Sequence, residues 1–146
     1  CNWRILMRKN IYEVFDEFAK VESKQEKINV LANNWTPTLL LVLQLAFKPE
    51  MEWKFNSYPV DYKTPDTKPG ISYASLNTEL KRLYLFRKGN EMAEKLTPKR
   101  SKELLLVLLE SLEPREADIV IGIFKKDLGV MGLTYKFIHD NIPGVL

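Results

Sequence analysis

An all-α fold is predicted for this chain, and three observations predict it. Apolar residues recur at three- and four-residue spacing in one segment after another. Those segments open on residues that cap helices, among them Asn10, Ser23, Thr36, Thr97 and Thr134. The one stretch that reads as extended, "EWKFNSYPV", has no obvious partner strand elsewhere. The expectation is a compact bundle of about six to eight helices with one long aromatic and proline-rich loop. At 146 residues the chain suits one domain, expected over residues 10–146 with residues 1–9 as an extension before it. Met7 is an alternative start within that extension.

The first helix is "IYEVFDEFAKV", with Ile11, Val14, Phe15, Phe18 and Val21 on one face and Asn10 before it. Ser23 and Glu26 have the spacing of a capping box, and the helix behind them ends near Asn33 and Asn34. Thr36-Pro37 opens a third helix, since proline at the first turn has no N–H to leave unpaired. That helix is apolar nearly all round, so its place is the centre of the domain. Five helix-breaking residues, Pro49, Pro59, Pro65, Pro69 and Gly70, make residues 48–74 a loop. Trp53, Phe55, Tyr58 and Tyr62 lie within it, and four rings so close together are expected to be ordered. They either fold onto the domain's own core or anchor a protein partner.

A helix then carries Leu76, Leu80, Leu83, Tyr84 and Phe86 to a stop at Gly89. A short helix over residues 91–96 is next, and Thr97-Pro98 opens a longer one. Pro114 opens another, with Glu113, Glu116 and Asp118 at its start and Lys125 and Lys126 at its end. Acids at the start and bases at the end both complement the helix dipole. The last helix begins at Thr134, after Gly129 and Gly132, and ends by Pro143.

Composition narrows the function. Hydrophobic residues make up 45% and charged residues 28%, which describes a folded globular chain. The longest apolar run, Leu39 to Phe47, falls well short of the roughly 18 residues a membrane span needs, so no membrane partner is expected. Residues 1–10 have no apolar core or cleavage site of a signal peptide. Cys1 is the sole cysteine, so no disulfide can form within the chain, as suits a reducing compartment. The net charge of +3 permits contact with nucleic acid without demanding it. No catalytic set emerges. His139 is the one histidine and stands beside Asp140, no Cys/His cluster offers a metal site, and the acids serve helix starts. Neither a phosphate-binding glycine loop nor a dinucleotide fingerprint is present. Lys125 to Gly129, "KKDLG", echoes the lysine motif of nucleotidyl transferases, but Leu128 separates Asp127 from Gly129. The chain is therefore read as non-catalytic, with no cofactor and no metal.

The order of elements, with "IYEVFDEFAKV", "SKQEKINVLANN" and the closing "KKDLG…GLTYKFIHDNIPGVL", resembles the N-terminal DNA-binding domain of ATP-dependent DNA ligases of tailed phages. "RLYLF" (residues 82–86), residues 108–117 and Pro143-Gly144 are similar to a group of small tailed-phage proteins. The resemblance covers residues 10–146. It implies an all-helical module that grips duplex DNA through phosphates without base readout, phage-encoded and working in the host cytoplasm, or carried in the virion. It implies DNA contact at the turn before the last helix: Lys125, Lys126, Gly129, Gly132, Thr134 and Lys136. Gly132 matches the ligase glycine, whereas Val130 stands where the ligase pattern has a basic residue. The adenylation and OB domains of ligases have no counterpart here, so ligation is not implied. Further bases fall at Lys81, Arg82, Arg87 and Lys88, expected on one helix, and at Lys95, Lys99, Arg100 and Lys102. Lys81 and Lys88, with Lys95, are expected to share an exposed face. The alternative function is a protein-interaction module that has lost DNA binding, an inhibitor or adaptor of a host or phage enzyme or a virion component, in which the loop aromatics are the contact.

Overall fold

The computed structural model describes residues 10–55 and 75–146. Tyr58, Tyr62 and the expected extension lie outside those residues. The fold is all-α, as expected. Among the described residues there are eight α-helices: α1 (Ile11–Lys20), α2 (Lys24–Asn33), α3 (Pro37–Phe47), α4 (Leu76–Leu80), α5 (Glu91–Glu94), α6 (Pro98–Ser111), α7 (Pro114–Lys125) and α8 (Tyr135–Asn141). A 3-10 helix, Leu83–Phe86, stands between α4 and α5.

The caps fix most starts. The Glu13 carboxylate accepts the Asn10 N–H at 3.1 Å, and Ser23 Oγ accepts the Glu26 N–H at 3.1 Å. Thr36, Thr97 and Thr134 each accept from the third residue of the helix they open. Each such bond pairs an N–H that the helix itself leaves open.

Helix α3 packs on α7 and α4, while α7 also packs on α1 and α6, and α2 packs on α1. Leu39, Val42, Leu43 and Ala46 of α3 are fully buried, as are Val120 and Ile123 of α7. This is the central placement expected from α3's nearly unbroken apolar sequence.

Two expectations are corrected. The helix expected from Leu76 to Phe86 is interrupted after Leu80, because another segment claims the backbone at its far end. Lys54 N–H donates to Phe86 O (2.8 Å) and Lys88 N–H donates to Glu52 O (2.8 Å). Trp53 and Arg87 thus face each other as an antiparallel bridge, with Arg87 extended at φ −89°, ψ 130°. The partner for the extended piece of the loop was the end of the "RLYLF" stretch. Leu83 and Phe86 remain buried, since a 3-10 helix returns to the same face every three residues.

The second correction concerns Trp53. It is 6% exposed and meets Phe124 edge-on at 5.4 Å, so it is a core residue, not an anchor for a partner. Phe55, half-buried, leans on Phe86 and Phe124 at 6.0 and 6.1 Å.

Candidate nucleic-acid interface

The elbow between α7 and α8 is built from backbone turns. Helix α7 ends on Lys126 in the left-handed region (φ 59°), whose N–H returns to Gly122 and Ile123 carbonyls. The Asp127 carboxylate then accepts the Gly129 N–H at 2.9 Å. Gly129 (φ 70°) and Gly132 (φ 83°) both occupy the region that a side chain penalises. Thr134 Oγ1 accepts the Phe137 N–H, and Phe137 sets its ring edge-on against Phe18 at 5.4 Å. Gly122 has a different reason to be glycine. A Cβ there would lie 3.0 Å from Asp127 O and Leu128 Cα, so the returning chain crosses directly over the helix.

Of the bases expected at this elbow, Lys126 is turned inward. Its Nζ donates to Lys48 O (2.7 Å) and Met51 O (2.9 Å), carbonyls of the turn that follows α3. Burial lowers its pKa, while Glu50 and Glu52 pull it partly back. It is a structural cap, not a phosphate ligand. Lys125, Thr134 and Lys136 are exposed. A lysine that sequence spacing did not suggest stands at the elbow instead. Lys27 of α2 lies 3.3 Å from where a Gly132 Cβ would be, but its Nζ also points inward, to Phe18 O at 2.9 Å. It rests 4.6 Å from the centre of the Phe18 ring.

The other flank of the elbow is a cleft of about 380 Å³ between α1, α7 and residues 128–131. Arg115 there is held by Asp16 in a two-pronged pair (2.6 and 2.7 Å) and lies 4.8 Å from the Tyr12 ring centre. The Arg115 hydrogen bond lowers the Asp16 carboxyl below its ordinary range, against partial desolvation. Desolvation raises Asp118, against the pull of Arg115 and Lys125.

The positive charge lies elsewhere. Residues 81–102 contain eight basic residues and two acids, a net charge of +6, while residues 10–55 and 103–146 are both net acidic. The 3-10 helix packs on α5, and Lys54 Nζ ties α5 to α6 by donating to Ala93 O and Ser101 Oγ, both at 2.9 Å. Both acids of the segment are already engaged. Glu94 accepts the Gly89 N–H at 3.0 Å, and Glu91 sits 3.6 Å from Lys95. Arg82 pairs with Glu79, and Arg100 with Glu103. Lys81, Arg87, Lys88 and Lys99 are in no ion pair among the described residues. Lys81 and Lys88 are both exposed, though they share no helix as expected.

No group of His, Cys, Asp and Glu side chains suited to a metal stands together among the described residues, and no helix there is long and apolar enough to cross a membrane. Among the described residues the fold and surface define a small helical module with one basic region. Residues 14–130 match a family of unknown function, DUF6433, and the chain belongs to that family. No curated protein matches it.

Proposed function

We propose that this chain is a non-catalytic module that binds duplex DNA through its backbone phosphates, without reading sequence, as a phage-encoded protein in the host cytoplasm. The observation that carries the reading is the +6 charge of residues 81–102, with Lys81, Arg87, Lys88 and Lys99 outside any ion pair among the described residues. Phosphate contacts by lysine and arginine supply affinity and position, and they need no base-specific geometry. The resemblance to phage ligase DNA-binding domains points the same way, but the contact moves from the elbow to the segment between α4 and α6. Lys125, Gly129, Gly132, Thr134 and Lys136 become a secondary edge.

The test is titration of a fluorescent duplex over a range of salt. The triple variant Lys81→Ala/Arg87→Ala/Lys88→Ala is expected to bind less tightly at low salt and to lose up to about 2–3 units of salt slope. The double variant Lys125→Ala/Lys136→Ala is expected to change little. The opposite ranking would return the interface to the elbow, and a parent that binds no duplex at low salt would sink the reading.

One observation favours a second reading, a protein-interaction module acting on a host or phage enzyme. A groove of about 220 Å³ runs between the 3-10 helix and α6, lined by Leu85, Phe86, Leu104, Val107 and Leu108. Val107 is 66% exposed at its edge. Apolar grooves of this kind receive partner side chains. Binding that is indifferent to salt is its signature.

A further inference from the structure

We propose that Tyr84 is a platform for an unpaired base, so that the basic segment prefers nucleic acid with a single-stranded part over blunt duplex. The inference rests on the phosphate-binding reading above and names the substrate class of the same surface.

Tyr84 is 46% exposed, in the middle of the 3-10 helix Leu83–Phe86. Lys81 (φ −70°, ψ −15°) and Arg82 (φ −93°, ψ −6°) lead into that helix in turn-like geometry. The bonds Leu85 N–H to Arg82 O (3.1 Å) and Arg87 N–H to Tyr84 O (3.2 Å) keep the three-residue repeat. Residues three apart in such a repeat stand one above the other. Lys81 and Tyr84 therefore stand one above the other on the exposed side of this repeat, and the chain continues into Arg87, bridged to Trp53, and the exposed Lys88.

A single strand suits such a row of cation and ring, because its phosphates are charged and its bases expose flat π faces. Proteins that hold single strands pair a basic track with aromatic side chains for that reason. A blunt duplex offers such a row only its phosphates, since its bases are already stacked.

The other exposed aromatic rings among the described residues lack the arrangement. Tyr135 (42% exposed) is already stacked on His139, at 5.6 Å and 19° between planes. Trp35 (38% exposed) has no basic residue within seven positions on either side. Glu79 and Glu94, near the row, are engaged through their side chains. Glu79 pairs with Arg82, Glu94 accepts from Gly89, and the exposed Glu52 meets Lys88 through main chain. The row was hidden in the sequence by helical spacing, which reads Tyr84 as one more residue of an apolar face.

The test compares a blunt duplex of about 20 base pairs with the same duplex carrying a single-stranded tail of about 10 nucleotides, by fluorescence anisotropy. The parent is expected to favour the tailed form by about tenfold, the lower part of what one stacked base provides. Tyr84→Ala is expected to lose that preference while keeping its affinity for the blunt duplex. Tyr84→Phe, which keeps the ring and removes the hydroxyl, is expected to retain it. Circular dichroism of both variants checks that the fold is intact. Equal binding of the two forms by the parent overturns the stacking role and leaves phosphate binding standing. So does a tail preference that survives Tyr84→Ala, which would assign it to charge alone. A parent that binds neither form overturns both readings.

Discussion

The elbow at residues 125–136 and the segment at residues 81–102 are both rich in lysine, but the elbow turns one of its own, Lys126, inward while Lys125 and Lys136 stay exposed. At the elbow Lys126 reaches inward to two carbonyls of the turn that follows α3, and Lys27 reaches inward to one at the end of α1. In the basic segment Lys81, Lys88 and Lys99 stand outside, and the inward lysine, Lys54, comes from another part of the chain. A lysine therefore does one of two jobs here. It binds main-chain carbonyls at or just past a helix end, or it charges the surface. Only the second kind is available to a phosphate.

The sharpest way to break this comparison is to remove one lysine of each kind. Lys126→Met keeps the aliphatic stem and deletes the ammonium, so Met51 O loses that donor and Lys48 O keeps only the Met51 N–H. The expected loss is about 1–3 kcal/mol of folding stability, because part-buried acceptors lose charge-assisted bonds. Lys88→Met is expected to stay within about 0.5 kcal/mol of the parent. Urea denaturation measures both. Equal losses, or none at Lys126, would show that the inward bonds do not anchor the elbow to the turn after α3.

Next in size is the glycine under the elbow. Gly122→Ala places a methyl 3.0 Å from backbone atoms of Asp127 and Leu128, which cannot swing away as a side chain tip can. The expected cost is about 1–3 kcal/mol, the range for overpacking, although alanine is the better helix former. The thermal midpoint reads this directly. A stabilised Gly122→Ala protein would mean that the elbow is free to lift from α7.

Helix positions were legible in the sequence because caps are local. Asn10, Ser23, Thr36, Thr97 and Thr134 all cap where the sequence puts them, and the bonds involved span three residues or fewer. The central place of α3 was legible too, because a helix apolar on nearly every side has nowhere else to go. The direction of Lys126 was not legible. Its acceptors lie 75 and 78 residues away, and at a helix end the same residue reads as a solvated partner of the dipole. The break after Leu80 was hidden for a similar reason. Leu76, Leu80, Leu83 and Phe86 fit one α-helix as well as an α-turn followed by a 3-10 turn, and the Trp53–Arg87 bridge makes the choice. The aromatic loop was half legible: its rings were read as either core or contact, and Trp53 and Phe55 belong to the core. As for the candidate site, its residue types were visible, but which bases remain outside depends on tertiary bonds.

The smallest effect concerns acids rather than bases, and it asks whether the acidic side of the molecule tolerates its own charge. Glu116, in the first turn of α7, has a carboxyl raised above its ordinary range, chiefly by desolvation and then by the nearby Glu113. A carboxyl raised in the folded state binds its proton more tightly there than in the unfolded chain. Its charge therefore costs stability at neutral pH. That cost disappears as pH falls through the raised folded value towards the unfolded one. Glu116→Gln removes the charge and keeps the shape. It is expected to raise stability at neutral pH by at most about 0.5 kcal/mol, since the side chain is partly solvated and screened. The gain should shrink as pH is lowered into the carboxylate range, because the parent then protonates and comes to resemble the variant. Asp16 is the opposite case. Its carboxyl is lowered by the hydrogen bond from Arg115, so its contribution is present at neutral pH and is lost as pH falls through the lowered value. Asp16→Asn should accordingly destabilise at neutral pH and converge with the parent only at more acid pH. Chemical denaturation of both variants at neutral and mildly acid pH separates the two signs. If the two substitutions move stability in the same direction at neutral pH, desolvation of Glu116 and the Arg115 hydrogen bond to Asp16 do not set the sign of their contributions.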